Sequence, residues 1–132
     1  MISLLVPMFA HVIWCTALYV LLTVVRAPAV WGIGQRADGS NPYSHLQTKV
    51  SANLSNQFEW PLFFHSVCVL LMIHHTDIPG VFLSLAWLFI AGRIVHSVVQ
   101  IFSSNVRVRG LVFTINFAAV LAMWSLLLFV TL

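Results

Sequence analysis

Polar and ionisable side chains lie inside long apolar runs of this sequence. Residues 52–64 read ANLSNQFEWPLFF and bring Asn56 and Glu59 to the start of one such run. Residues 91–110 read AGRIVHSVVQIFSSNVRVRG and bring Arg93, His96 and Gln100 into another. Charged groups at membrane depth are costly and usually mark a functional site. These two segments are therefore the candidate walls of a ligand site.

Helical spacing places the polar residues of each segment on one face. At about 100° per residue, the first stripe holds Lys49, Asn53, Asn56 and Trp60, with Glu59 at its edge. The second stripe holds Arg93, His96, Ser97 and Gln100, and Ser104 and Arg107 extend it if the helix continues. Two such faces that meet at one membrane surface could enclose an anionic, hydrogen-bonding ligand.

Simpler interpretations of these residues remain open. Glu59 and Arg93 could neutralise each other as an ion pair between helices. Asn53 and Asn56 could serve as hydrogen-bonding contacts between helices. The same interpretation is favoured for Asn116 on the last helix.

The histidines in the apolar runs also have two interpretations. For His11 and His65, the favoured interpretation is that they are packed, hydrogen-bonded side chains. Together with His96 they could instead serve a haem or quinone carrier, which would require histidines that face each other at equal depth.

The composition identifies the class of protein. The chain has 132 residues, of which 61% are hydrophobic and only 7% charged, against about 25% charged in soluble domains. Four runs are long enough to cross a bilayer as helices, at about 2–25, 45–76, 81–102 and 109–132. The sequence thus predicts one all-α domain, a bundle of four transmembrane helices in contact with lipid, with a bend at Pro61.

Other site classes lack their signatures. The six basic residues are scattered, which argues against a nucleic-acid partner. Neither a Ser/His/Asp arrangement nor a metal-spaced Cys/His set is present, and we expect no metal site.

The loop charges predict the orientation in the membrane. Arg26, Arg36 and Lys49 lie in the interval 26–49, and Arg107 and Arg109 lie in the link 103–110. Basic loops favour the cytoplasmic side. We therefore expect both of these loops in the cytoplasm, both termini on the opposite side, and a bacterial inner membrane as the location.

The two polar segments together resemble a known family. ANLSNQFEWPLFF resembles the Asn-x-x-Glu signature, with a following proline, of the second helix of the MAPEG family (membrane-associated proteins in eicosanoid and glutathione metabolism). AGRIVHSVVQIFSSNVRVRG resembles the third helix of that family and its basic link to the fourth. The number of spans and the loop charges also fit, and the chain is similar to bacterial members.

The resemblance implies a homotrimer with glutathione bound in a polar cleft between subunits. It implies that Asn56 and Glu59 contact glutathione and that Arg26 holds one of its carboxylates. It assigns Arg107 to stabilisation of the glutathione thiolate, which would attack a lipophilic electrophile. We add Arg93, His96 and Gln100 to the expected glutathione contacts, because they form the facing stripe.

The sequence departs from the family pattern at three positions. Ala52 stands where many members carry Arg, and His96 and Gln100 stand where members carry Tyr. These departures favour an alternative function, a non-catalytic scaffold of the same fold that binds a lipid or an amphipathic anion. Retention of Asn56, Glu59, Arg93 and Arg107 favours the glutathione-dependent transferase or peroxidase.

Overall fold

Five helices make up the chain in a computed structural model that describes residues 3–132. They are α1 (Leu5–Trp31), α2 (Ser44–Asn56), α3 (Pro61–His74), α4 (Gly80–Phe102) and α5 (Val106–Thr131). The helices α1, α4 and α5 are long and apolar enough to cross a membrane. The expectation of an all-α, multi-pass membrane protein is confirmed to that extent.

The predicted helix 45–76 is instead two helices with a break at residues 57–60. Pro61 has no N–H, so the carbonyl of Gln57 loses its helical partner, while the fixed φ of proline suits the first position of a new helix. Within the break, Gln57 N–H donates to Leu54 O and Phe58 N–H donates to Ser55 O, at 3.0 Å each. The bend expected at Pro61 is thus a full interruption, and Gln57, the first residue after α2, is buried beside it.

The ends of two other helices differ from the predicted ends. Arg26 and Pro28 suggested an end at residue 25, yet α1 continues to Trp31 and stops at Gly32, whose φ of 70° is the left-handed conformation that ends many helices. α4 ends at Phe102, the predicted residue, but α5 begins at Val106 rather than at residue 109. The Asn105 side chain caps α5 by accepting from the N–H groups of Arg107 and Val108.

The apolar core consists of two clusters with polar residues between them. One cluster joins α3 to parts of α4 and α5 and includes Phe64, Phe89 and Val120. The other joins α1, α2 and the end of α4 and includes Leu18 and Leu54. A layer of buried polar residues on α1, α4 and the α2–α3 pair lies between the two clusters.

The close packing of α4 on α5 depends on a small residue. Asn116 on α5 is fully buried, and its side-chain amide has no hydrogen-bond partner among the described residues. The amide lies directly over Gly92 of α4, where an added methyl group would overlap it. Small residues let membrane helices approach in this way.

We expect Gly92→Ala to destabilise the protein by about 1–3 kcal/mol, because the new methyl group forces α4 and α5 apart. Thermal unfolding in detergent, followed by the helical circular dichroism signal, measures the change. Asn116→Ala removes the obstacle, so the double variant should be more stable than Gly92→Ala alone. Equal stability of the two would show that the Asn116 contact is not the cause.

Candidate functional site

The guanidinium of Arg93 is the charge at the centre of the polar layer. Its side chain is 1% exposed. Nε donates to Gln57 Oε1 at 3.1 Å, and Nη2 donates to the carbonyl of Asn56 at 3.0 Å. Asn56 ends α2, so Arg93 caps a carbonyl at a helix C-terminus, where positive charge is favourable.

The Gln57 side chain bonds directly to three helices, α1, α2 and α4. Its Oε1 also accepts from His11 Nε2 of α1 at 3.1 Å. Its Nε2 donates to Ser97 Oγ of α4 at 3.2 Å and to Asn53 Oδ1 of α2 at 3.3 Å. Through His11 the connection reaches His65 of α3, whose Nε2 lies 3.0 Å from His11 Nδ1. Both polar atoms of the Gln57 side chain are thereby paired, as burial requires.

A second set of bonds ties α2 to α4. The Nδ2 groups of Asn53 and Asn56 both donate to Gln100 Oε1, at 2.8 and 3.2 Å. A further bond joins α1 to α4, since Ser97 Oγ also accepts from the indole N–H of Trp14 at 3.1 Å. The interpretation of Asn53 and Asn56 as hydrogen-bonding contacts between helices therefore describes one of their roles.

Two adjoining cavities open beside this network. One of about 390 Å³ is lined by Asn56, Glu59, Trp60, Phe63, Arg93, His96 and Phe113. The other, of about 450 Å³, is lined by Asn56, His96, Gln100, Val106, Arg109, Gly110 and Phe113. Both sizes are typical of small-molecule sites. Three lining residues are common to both cavities, so the two form neighbouring parts of one candidate site.

His96 lies where the two cavities meet. Its side chain is 3% exposed, and its Nδ1 is buried without a partner among the described residues. A buried ring nitrogen without a partner is rare in proteins and marks His96 as a candidate functional residue. The second cavity therefore has a polar base from His96 and Gln100 and a cation from Arg109.

Five of the seven residues expected in the site lie on these cavities, namely Asn56, Glu59, Arg93, His96 and Gln100. The Glu59–Arg93 ion pair considered from the sequence is absent from the bonds of Arg93, which go to Gln57 and Asn56. Glu59 is exposed at the cavity instead.

The other two expected residues, Arg26 and Arg107, are exposed and line neither cavity. Arg26 lies inside α1, five residues before its end. Arg107 does not extend the polar stripe of α4, because α4 ends at Phe102 and α5 starts again at Val106.

Sequence reasoning missed Gln57 and Arg109. Gln57 lies just beyond the polar stripe assigned to α2, but it follows the buried Asn53 by four residues and donates to its Oδ1 at 3.3 Å. That i, i+4 spacing, about 40° around a helix, was the available signal. Arg109 shares a face with Val106 and Phe113 once α5 is known to begin at Val106. Arg107 then lies about 200° around the helix from Arg109.

Comparison with known proteins gives the family. The sequence profile of the MAPEG family matches residues 4–129. The chain belongs to the MAPEG family. No curated protein and no solved structure matches it significantly. The MAPEG family is known in general for its association with glutathione, and its helical membrane character agrees with the three apolar spans.

The described part of the chain, residues 3–132, has no group of three or more His, Cys, Asp or Glu side chains placed to hold a metal ion. The charged groups on the two cavities are Arg93, Glu59 and Arg109.

We expect Gln57→Leu to destabilise the protein by about 1–3 kcal/mol or more, because it leaves Arg93 Nε and His11 Nε2 without an acceptor. Gln57→Glu keeps an acceptor oxygen and should lose less. Thermal unfolding in detergent measures both. Ser104→Leu, at an exposed residue of the α4–α5 link whose side chain makes no hydrogen bond to the described residues, is the control and should leave the midpoint nearly unchanged. A Gln57→Leu variant as stable as the control would contradict the role given to Gln57.

Proposed function

We propose that this protein is a glutathione-dependent transferase or peroxidase that acts on lipophilic electrophiles. The observation that carries the proposal is the pair of adjoining cavities, which gather Asn56, Glu59, Arg93, His96 and Gln100 in a member of the MAPEG family. No other group of side chains in the described chain combines both charge signs with amides at one opening.

The groups at the cavities complement those of glutathione. Glu59 is an exposed carboxylate that suits the γ-glutamyl amine, and Asn56 and Gln100 suit the peptide groups. Arg93 supplies a positive field at the inner wall, and Arg109 supplies one at the outer wall. Buried cations and amides recognise carboxylates and peptide groups through charge-assisted hydrogen bonds.

A homotrimer would complete the site. Arg26 and Arg107 are exposed and lie outside the cavities of their own protomer. In the proposed trimer, Arg26 of one subunit holds a glutathione carboxylate in the cleft that it forms with the next, and Arg107 lies near the thiol. The site opens to the cytoplasmic side of a bacterial inner membrane, and both termini lie on the opposite side.

The proposed chemistry needs no protein nucleophile. A thiol with an ordinary pKa near ~8.5 is mostly protonated at neutral pH, and a nearby cation stabilises the thiolate. The thiolate sulfur then attacks the electrophile, which reaches it from the bilayer. In the transferase reaction a carbon–sulfur bond forms, and the leaving group departs with the electron pair.

We expect wild-type protein in detergent to bind glutathione as the thiolate, detected by its ultraviolet absorbance. Arg107→Ala should abolish the thiolate signal, because the cation that stabilises the sulfur is lost. Glu59→Gln should weaken binding by about tenfold or more, because the amine loses its charge partner. Both variants should keep the oligomeric state of the wild type.

Arg36→Ala, at an exposed loop arginine that lines neither cavity, is the control and should keep the thiolate signal. Arg109→Ala tests the second cation near the site. Loss of the thiolate signal in Arg109→Ala, with Arg107→Ala unaffected, would transfer the thiolate role to Arg109. Dissociation of the oligomer in either Glu59→Gln or Arg107→Ala would show a structural role. Failure of the wild-type protein to bind glutathione would overturn the transferase proposal.

A non-catalytic scaffold is the second candidate function. One observation favours it: Gln100, where relatives carry a tyrosine hydroxyl, already accepts from Asn53 and Asn56 through its only oxygen. Its remaining amide donor is weaker support for a thiolate than a hydroxyl. Saturable glutathione binding without a thiolate signal would support this candidate.

A further inference from the structure

A third cavity, of about 440 Å³, lies on the other side of Gln57, between α1 and α3. It shares no lining residue with the two cavities of the proposed glutathione site. Its walls include Val12, Phe58 and Leu62, which are 50–61% exposed and in a membrane would face lipid. Its polar groups include His11 and His65. An apolar pocket with a small polar base is typical of a binding site for an amphipathic molecule.

The hydrogen-bonding character of the polar base follows from Arg93. Arginine has no acceptor atom, so the Gln57 atom that receives Arg93 Nε must be the amide oxygen. The same oxygen contacts His11 Nε2 at 3.1 Å. His11 Nε2 therefore carries the hydrogen, and in the neutral ring Nδ1 is the acceptor.

The assignment passes from His11 to His65. His11 Nδ1, an acceptor, lies 3.0 Å from His65 Nε2, which must then carry the hydrogen. In the neutral ring, His65 Nδ1 is left with a free lone pair. It has no hydrogen-bond partner among the described residues, and unlike His96 Nδ1 it is not sealed in the interior. Because His65 lines the α1–α3 pocket, we infer that this lone pair is the acceptor that the pocket offers to a ligand.

We propose that the α1–α3 pocket binds a lipophilic molecule that carries a hydroxyl group, such as a long-chain alcohol or phenol. The hydroxyl donates to His65 Nδ1, and the apolar part lies along Val12, Phe58 and Leu62. A ligand whose polar end only accepts hydrogen bonds leaves His65 Nδ1 unpaired and brings two lone pairs together. This binding activity is separate from glutathione chemistry and does not depend on it.

Nitrogen-15 NMR of histidine-labelled wild-type protein in detergent tests the protonation pattern without any variant. We expect His11 and His65 both to carry hydrogen on Nε2, with His65 Nδ1 unprotonated. Addition of para-nonylphenol should shift the His65 Nδ1 resonance in the direction of hydrogen-bond acceptance. A hydrogen found on His65 Nδ1 in the free neutral protein would overturn the proposal.

A pair of probes that differ only in the hydroxyl hydrogen tests the binding. Calorimetric titration should give para-nonylphenol an affinity about tenfold higher than para-nonylanisole, its methyl ether. His65→Arg keeps a donor toward His11 Nδ1 but has no acceptor atom, so the preference for the phenol should be lost. His74→Arg, at an exposed histidine at the end of α3, should keep the full preference.

Each other result has a defined meaning. Equal affinities of the two probes for the wild type would overturn the proposal, because partition into apolar surface alone would explain the binding. The absence of saturable binding would also overturn it, since lipid or a neighbouring copy would then occupy the pocket. An unchanged preference in His65→Arg would overturn the proposal, because the hydroxyl would then bind elsewhere.

Discussion

The burial of the Arg93 guanidinium is the constraint on which the rest of the structure depends. A charge at this depth needs acceptors, and an unbroken helix offers none, because its carbonyls are already paired. The break before Pro61 supplies two, the carbonyl of Asn56 and the side chain of Gln57. The helix interruption and the buried charge therefore stabilise each other, since neither is satisfied alone.

Arg93 fixes the orientation of the Gln57 amide, and this orientation determines the hydrogen bonds on both sides of Gln57. Because an arginine can only donate, the Gln57 oxygen faces Arg93 and His11, and its amide nitrogen faces α2 and α4. On one side this arrangement anchors the cavities lined by Asn56 and His96. On the other it assigns the donor and acceptor nitrogens of the His11–His65 pair. The donors and acceptors of the proposed glutathione site and of the α1–α3 pocket, which share no lining residue, thus both depend on the Arg93 guanidinium.

The protomer presents a site that is open on its outer side. Glu59 and Arg109 lie at the cavity mouths, while Arg26 and Arg107 are exposed and lie away from them. A membrane protein that turns basic side chains outward near the end of its spans requires water, headgroups or another protein surface beside them. This geometry agrees with the proposed assembly, in which neighbouring subunits close the cleft.

The sequence by itself determined the class, the membrane character and five of the residues that line the two cavities. Apolar runs of spanning length and polar residues at helical spacing are local properties, so the pairing of α2 with α4 and the roles of Asn56, Arg93, His96 and Gln100 as neighbours could be predicted. The resemblance also identified the MAPEG family, which the match over residues 4–129 confirmed.

Only the tertiary structure decided where the helices end and which side chains near those ends lie on the cavities. The break at residues 57–60 was expected as a bend, and its full extent depends on the acceptors that Arg93 needs from another helix. The restart of α5 at Val106 brings Arg109 to the cavity in place of Arg107. Both outcomes follow from side-chain bonds, of Arg93 to Gln57 and of Asn105 to its own helix, whose partners helical periodicity alone does not identify.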